Sequence, residues 1–427
     1  MMPLFRAACG GQTSISPGEM ESIDMIAPGR ANPFTKTETG TDGTAHYVKT
    51  YSPSSLRLFL QCPLSFWMKH LFGLDASDVY EEDKSESSAN EYGTLMHSVL
   101  QKLVQDFPTK AALVKAAGTA DPEEQTAFLS EKAVEVCRAE WARCYAPARF
   151  REAMPLPLMV QAQNMEKTAR AFAARHVEDL NEGWCNLACE YKLTPTFRLS
   201  DGREVRFNMT ADRIDRNEDG RWRVIDYKTT DKDKRPFGDH LERTESPRET
   251  PFYLYMNTAG YHFNPLSVQQ GEKVIYYRWQ NVQLMLYVFG LQQLEPAKLN
   301  AAVPETSLNG VMPELFYYTL QGNTQSIACY DFMADSHLAG ASVTPQEMLE
   351  NAMLTVDSAI RMILDGACLF SAESLGLKHA PFSKLRDARN SSIAPRFGGI
   401  SPAHDPRSLF GLPKLDKITL TTETPES

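Results

Sequence analysis

Asp226 and Lys228 lie two residues apart in Val224-Ile225-Asp226-Tyr227-Lys228-Thr229-Thr230. Side chains alternate along an extended strand, so the acid and the lysine share one face, a place to hold a metal and a water together. Upstream lies Met209-Thr210-Ala211-Asp212-Arg213-Ile214-Asp215, separated from the first run by the turn-like Asn217-Glu218-Asp219-Gly220. Two such runs joined by a short turn predict a β-hairpin. The hairpin can set Asp212 beside Asp226, close enough for both carboxylates to hold one divalent cation through hard oxygen ligands.

Two further segments can contribute to the same site. In Tyr92-Gly93-Thr94-Leu95-Met96-His97-Ser98-Val99-Leu100, a histidine follows a glycine by one helical turn. In Trp279-Gln280-Asn281-Val282-Gln283-Leu284-Met285-Leu286-Tyr287, Gln283 and Tyr287 are four apart and share a helix face.

Regular elements must carry these residues. Ser52-Pro53-Ser54-Ser55 caps an apolar helix through Leu60, and a second helical piece follows Pro63 to about Phe72. From Gly93 to about Glu182 apolar residues recur at three- and four-residue spacing, as in Leu95, Val99 and Leu103 and again in Ala173, Val177 and Leu180, which predicts helix. Three strands are expected between Asn186 and Tyr227, two more at Leu315–Tyr318 and Ile327–Tyr330, and a last helix from about Pro345 to Leu364. Residues 1–46, rich in Gly, Ser, Thr and Pro, read as a disordered leader, 47–400 as the folded domain, and 401–427 as a tail. The stretch 229–280 reads as an insertion whose Lys232, Lys234, Arg235, His240, Arg243 and Arg248 either grip substrate or merely decorate the fold.

In this order and with these neighbours, the segments from Tyr51 to Phe382 resemble the RecB-type branch of the PD-(D/E)XK nuclease superfamily, which includes the nuclease domains of bacterial recombination-repair helicase-nucleases. The resemblance implies an α/β fold with a restriction-endonuclease-like core, a central mixed sheet flanked by helices, and a largely helical N-terminal part. It assigns His97, Asp212, Asp226 and the Tyr227 carbonyl to a Mg2+ or Mn2+ ion. Lys228 would stabilise developing charge or position and deprotonate the attacking water, two roles that remain open. Gln283 and Tyr287 would orient Lys228 or contact a phosphate, and Glu190, in Ala188-Cys189-Glu190-Tyr191, matches an additional glutamate of the branch. Met209 stands where the branch usually has glycine.

The activity so implied is metal-dependent hydrolysis of DNA, with exonuclease action at DNA ends in recombination or repair favoured. Two readings stay beside it: a non-catalytic DNA-binding or scaffolding module on the same fold, and a structure-specific endonuclease acting on branched DNA or RNA. The sequence contains no G-x4-G-K-[ST] motif, so a helicase motor would be a separate polypeptide.

Charge and cysteine usage bear on partners and cofactors. The net charge of -10 argues at first against a nucleic-acid partner, yet seven acids against one lysine fall between Asp75 and Glu91. From Lys378 to Arg396 the balance is locally +4. There Lys384, Arg386 and Arg389 either meet phosphates or form a solvated basic surface. No run of eighteen apolar residues and no signal-peptide pattern occurs, so a cytoplasmic protein away from the membrane is expected. The eight cysteines have no paired zinc-type spacing and read as reduced core residues.

Many members of the branch hold an iron-sulfur cluster with one cysteine before the histidine motif and three near the C-terminus. Cys62 keeps the first position, but Leu377, Ala380 and Arg386 occupy the other three. One thiolate cannot hold a cluster that takes four, so Cys62 reads as a small buried side chain at a helix start. Anaerobically purified protein should therefore be colourless and lack stoichiometric iron and sulfide; a brown preparation with a charge-transfer absorbance would contradict this.

Overall fold

The computed structural model describes residues 20–24, 32–39, 45–61, 63–72, 89–145, 154–230, 234–244, 260–294, 312–320, 326–341 and 343–371. Cys62, Leu377, Ala380, Lys384, Arg386, Arg389 and the tail 401–427 lie outside the described residues.

Three short strands open the chain: β1 (Met20–Asp24), β2 (Thr37–Thr39) and β3 (Ala45–Tyr47). Helices follow as α1 (Pro53–Gln61), α2 (Pro63–Phe72), α3 (Ala89–Asp106), α4 (Lys110–Ala117), α5 (Pro122–Cys144) and α6 (Leu156–Asn181). Next come β4 (Trp184–Leu193), β5 (Thr196–Arg198), β6 (Glu204–Arg206), β7 (Met209–Asn217) and β8 (Trp222–Thr229). The remaining elements are α7 (Pro236–His240), β9 (Leu241–Thr244), β10 (Leu266–Gln270), β11 (Lys273–Trp279), α8 (Gln283–Gln292), β12 (Glu314–Leu320), β13 (Ala328–Asp331), α9 (Pro345–Asp365) and β14 (Ala367–Ser371).

Local chemistry explains the helix ends. The Ser52 hydroxyl accepts the Ser55 N–H at 3.2 Å, the cap expected for α1. Thr344 and Glu347 form a reciprocal capping box at the start of α9, and Gly366, at φ 75°, turns the chain out of its last turn.

Five strands form the central sheet in the order β13-β12-β8-β7-β4. Only β12 and β8 run parallel, with Tyr317 opposite Asp226; the other neighbours are antiparallel. The sheet is therefore mixed, with helices on both faces. Val224 on β8, with Leu315 and Tyr317 on β12, joins a core completed by residues of α1, α8 and α9. Ile225 and Tyr227, with Tyr318 and Leu320, join the opposite core with residues of α3, α5 and α6. Burial on both faces makes the middle of β12, Leu315 to Tyr318, continuously apolar or aromatic, whereas β8 carries charged residues among its buried ones. Leu95, Val99 and Leu103 are buried as their spacing requires.

More strands occur than the sequence indicates. The short β5 and β6 pair with each other between β4 and β7, and the insertion holds a separate three-stranded sheet of order β10-β11-β9. The described part of residues 1–46, expected from composition to be disordered or weakly ordered, makes contacts with the folded domain. There Asn32 donates to the carbonyls of Ile363 and Leu364, and Phe34 stacks on Tyr51 and Phe66. β1 also pairs antiparallel with β14, and neither this pairing nor one docked aromatic and one amide registers in composition.

The face of the hairpin turned towards α6 is ionic. Asp215 accepts from Arg213 Nε at 2.8 Å and from both Arg223 Nε and Nη2, at 2.9 and 2.8 Å. Asp179 of α6 receives Arg223 Nη2 at 3.0 Å and the Tyr318 hydroxyl at 3.0 Å, with Arg213 Nη2 at 3.5 Å and Arg175 closing the group. Burial opposes the ionised form of Asp179, but the surrounding guanidinium groups prevail and lower its pKa to about 2. Arg213, which beside Asp212 could have been half of a surface ion pair, is fully buried. Replacing Arg213 with Met should leave two buried carboxylates short of a counter-charge and destabilise the fold by roughly 3–5 kcal/mol. Urea unfolding measures this, and a loss under about 1 kcal/mol would contradict the assignment.

Candidate metal and catalytic centre

The pairing of β7 with β8 runs from Arg216–Trp222 to Arg213–Ile225 and stops there. Beyond that pair, the Tyr227 N–H donates to Asp212 Oδ2 at 2.8 Å, a side-chain oxygen taking the place of a strand carbonyl. Asp212 and Asp226 thus meet where the two strands part. Both are buried.

His97 arrives from α3. A Cβ on Gly93 would sit 3.0 Å from the Thr229 hydroxyl, so the glycine lets this helix approach the end of β8 and sets His97 one turn further on. The imidazole packs edge-on against the Tyr227 ring, with centroids 5.6 Å apart. Its Nδ1 lies 3.3 Å from Glu190 Oε1 and 3.7 Å from Asp212 Oδ2.

Glu190 reaches the centre through an unusual backbone. With φ at 48°, it is the one non-glycine among the described residues in the left-handed region. Pairing of β4 with β7 holds at Cys189–Arg213 and at Tyr191–Ala211, on either side of it. Such a conformation costs on the order of 1–3 kcal/mol and persists where the surroundings impose it.

His97, Glu190 and Asp212 bring their donor atoms within 4.8 Å of one another, close enough to hold a metal ion. Asp226 stands beside this trio. Its Oδ1 accepts from Gln283 Nε2 at 3.0 Å, while the buried Oδ2 has no aligned hydrogen bond and touches the Lys228 ammonium. Lys228 Nζ also donates to Gln283 Oε1 at 3.3 Å and lies over the Tyr317 ring, 4.6 Å from its centroid. Gln283 Nε2 is 2.7 Å from the Tyr287 hydroxyl. One amide therefore fixes Asp226, Lys228 and Tyr287 together, and Asn281 steadies it by accepting the Gln283 N–H at 3.0 Å.

All the residues singled out in the described sequence converge here: His97, Glu190, Asp212, Asp226, Tyr227, Lys228, Gln283 and Tyr287. Asp226, at 1% exposure, is more enclosed than a solvent-facing strand end implies. Met209, in place of the usual glycine, points its methyl group to within 2.6 Å of where a Cβ on Gly290 of α8 would lie. The bulk on β7 is accommodated by a missing side chain on the facing helix. Tyr317, Asp239 and Asn281, which support the centre from behind, have no signal in the sequence: a strand aromatic, an acid of the insertion and an asparagine ahead of α8 look ordinary.

The electrostatics favour a cation. Burial, and then the neighbouring Asp226 charge, raise the Asp212 pKa above the usual carboxylate range. For His97, burial acts to lower the pKa, but the hydrogen bond it donates to Glu190 and the charges of Asp212, Glu190 and Asp226 raise it to about 9. Without a metal the imidazolium supplies positive charge to a cluster of acids. An imidazole with several carboxylate oxygens is a donor set suited to a divalent ion.

The family model for the PD-(D/E)XK nuclease superfamily matches residues 50–374. No curated protein matches the chain.

A ligating imidazole must be neutral, so a divalent ion competes with protons at this cluster. His97 loses its proton only as the pH passes about 9, and Mn2+ affinity should therefore climb with pH up to that point and level off above it. The His97→Gln variant should bind more weakly and lack the upper part of the climb. Titration of free Mn2+ by electron paramagnetic resonance checks this; an affinity independent of pH between about 6 and 9 would contradict it.

Proposed function

The chain belongs to the PD-(D/E)XK nuclease superfamily, and on that premise we propose that it is a Mg2+- or Mn2+-dependent deoxyribonuclease that degrades DNA from its ends in recombination or repair. The superfamily implies a metal-dependent nuclease and a DNA substrate; the exonuclease mode and the RecB-type assignment rest on the order of the His97, Asp212, Asp226-Lys228 and Gln283-Tyr287 segments. A helicase, if duplex ends are processed, is a separate partner. No helix among the described residues is long and apolar enough to cross a membrane, and a cytoplasmic location fits this reading.

One observation carries the proposal: a trio able to hold a cation lies next to an ammonium pinned by a carboxylate, an amide and an aromatic face. His97, Glu190, Asp212 and Asp226 would hold the ion. When bound, a divalent cation polarises the phosphoryl oxygen and favours deprotonation of water. Lys228 provides positive charge where negative charge builds up on the phosphoryl oxygens, and its fixed position spares reorganisation during the reaction. Gln283 has its amide oriented by its partners: Oε1 accepts from Lys228, and Nε2 donates to Asp226 and Tyr287. It thereby positions Lys228. Asp226 neutralises that ammonium, and its charge acts on His97 and Asp212 of the trio.

Changing Asp226 to Asn keeps its shape and removes its charge, and Lys228→Ala removes the ammonium. Each should reduce cleavage of end-labelled DNA by at least about 10²-fold while leaving the far-ultraviolet circular dichroism spectrum unchanged. Wild-type-like cleavage by either folded variant would sink the assignment. Circular DNA, resistant to an enzyme that needs an end, separates exonuclease from endonuclease in the same assay.

A further inference from the structure

Behind Lys228 the insertion builds a second charged cluster. The Tyr317 hydroxyl, on the ring beneath Lys228, donates to Asp239 Oδ2 at 2.9 Å, and Asn281 Nδ2 donates to the same oxygen at 3.0 Å. The other oxygen, Oδ1, faces two cations: Arg57 Nη2 of α1 at 3.0 Å and Lys234 Nζ at 3.1 Å. His240 Nε2 lies 2.8 Å from the Tyr317 hydroxyl; because that hydroxyl gives its proton to Asp239, the ring nitrogen is the donor. Complete burial keeps His240 neutral, so it adds no charge.

Two features distinguish this cluster from an ordinary structural ion pair. The first is charge balance. Asp226 neutralises Lys228, which leaves one carboxylate, Asp239, for two cations, so a positive charge is in excess in a chain of net charge -10. The second is exposure. The Asp239 side chain is 7% exposed and saturated with donors, whereas Arg57 and Lys234 remain 34% and 31% exposed. Each cation is anchored at its buried side by one bond, with further N–H groups turned to solvent and, among the described residues, no other side-chain acceptor.

We propose that Arg57 and Lys234 form a phosphate-binding subsite for the nucleotide next to the scissile bond, with Asp239 holding both cations in place. The proposal rests on the nuclease reading for the identity of the ligand, a nucleic-acid strand. A strand engaged at Lys228 presents its neighbouring phosphate to the guanidinium fork and the ammonium. The Asp239 charge does not repel it, since four donors already engage that carboxylate. The insertion thereby acquires a definite role, because it holds Lys234 and Asp239, and Asp239 is joined through Asn281 to the helix that carries Gln283.

The full-length chain is tested for binding to a fluorescently labelled single-stranded oligonucleotide in EDTA, by anisotropy over a series of KCl concentrations. Arg57→Gln combined with Lys234→Gln should weaken binding at low salt at least about tenfold and lower the slope of log affinity against log salt by about 0.7, the value for one phosphate contact on a single strand. The charge-preserving Arg57→Lys with Lys234→Arg should retain most of the slope. If the double glutamine variant does not fold, Lys234→Gln alone keeps the Arg57–Asp239 bond and should still weaken binding and lose part of that slope. Wild-type affinity and slope in a folded glutamine variant would overturn the subsite. Wild-type protein is also incubated with the same oligonucleotide and Mn2+. Binding that responds to the substitutions without cleavage by the wild type upholds the subsite and rejects the nuclease reading, while cleavage with no response to the substitutions does the reverse.

Discussion

The separation of two strands beyond Arg213 and Ile225 is the constraint on which this structure depends. Up to that pair, β7 and β8 satisfy each other's backbone; beyond it, the Tyr227 N–H needs another acceptor and takes the Asp212 carboxylate. A buried acid is thereby committed to the strand end with a second acid beside it. Neither carboxylate is solvated well enough to dissipate its charge, so the site gathers cations: the His97 imidazolium on one side and the Lys228 ammonium on the other. The parting of the strands also opens the space that Glu190 enters from β4.

The rest of the molecule holds that parting in place. On the face turned towards α6, Arg213, Asp215 and Arg223 lock the closed part of the hairpin to Asp179. On the opposite face, α8 supplies Gln283 to the acid and the lysine, and Asn281 joins the start of this helix to Asp239 in the insertion. Alternation along each strand separates the two roles. Asp212 and Ile214 point to one side, Arg213 and Asp215 to the other, so a short sequence carries both a reactive face and an anchoring face.

What could be read from the sequence follows from local geometry. Asp226 and Lys228 share a face because strand periodicity is two; Gln283 and Tyr287 share one because helix periodicity is near four; His97 follows a glycine whose small size allows a close helix approach. These residues meet as their spacing implies. Glu190 could be named from the resemblance, but its left-handed backbone is imposed by the sheet and has no signal in residue type. The burial of Arg213 is equally invisible, because its partner Asp179 lies on a helix far away in sequence. The contribution of Asp239 and Asn281 depends on how the insertion folds back against β12, a tertiary matter. Phe34 and Asn32 dock a segment whose composition suggests disorder.

The parted strand end is proposed as a divalent-cation centre serving phosphodiester hydrolysis. Crystals grown with Mn2+ and measured at a wavelength sensitive to its anomalous scattering test it most directly. The predicted result is a single strong anomalous peak bounded by His97, Glu190, Asp212 and Asp226, lost in crystals of the Asp212→Asn variant. A peak elsewhere, with this cluster empty at saturating Mn2+, would contradict it.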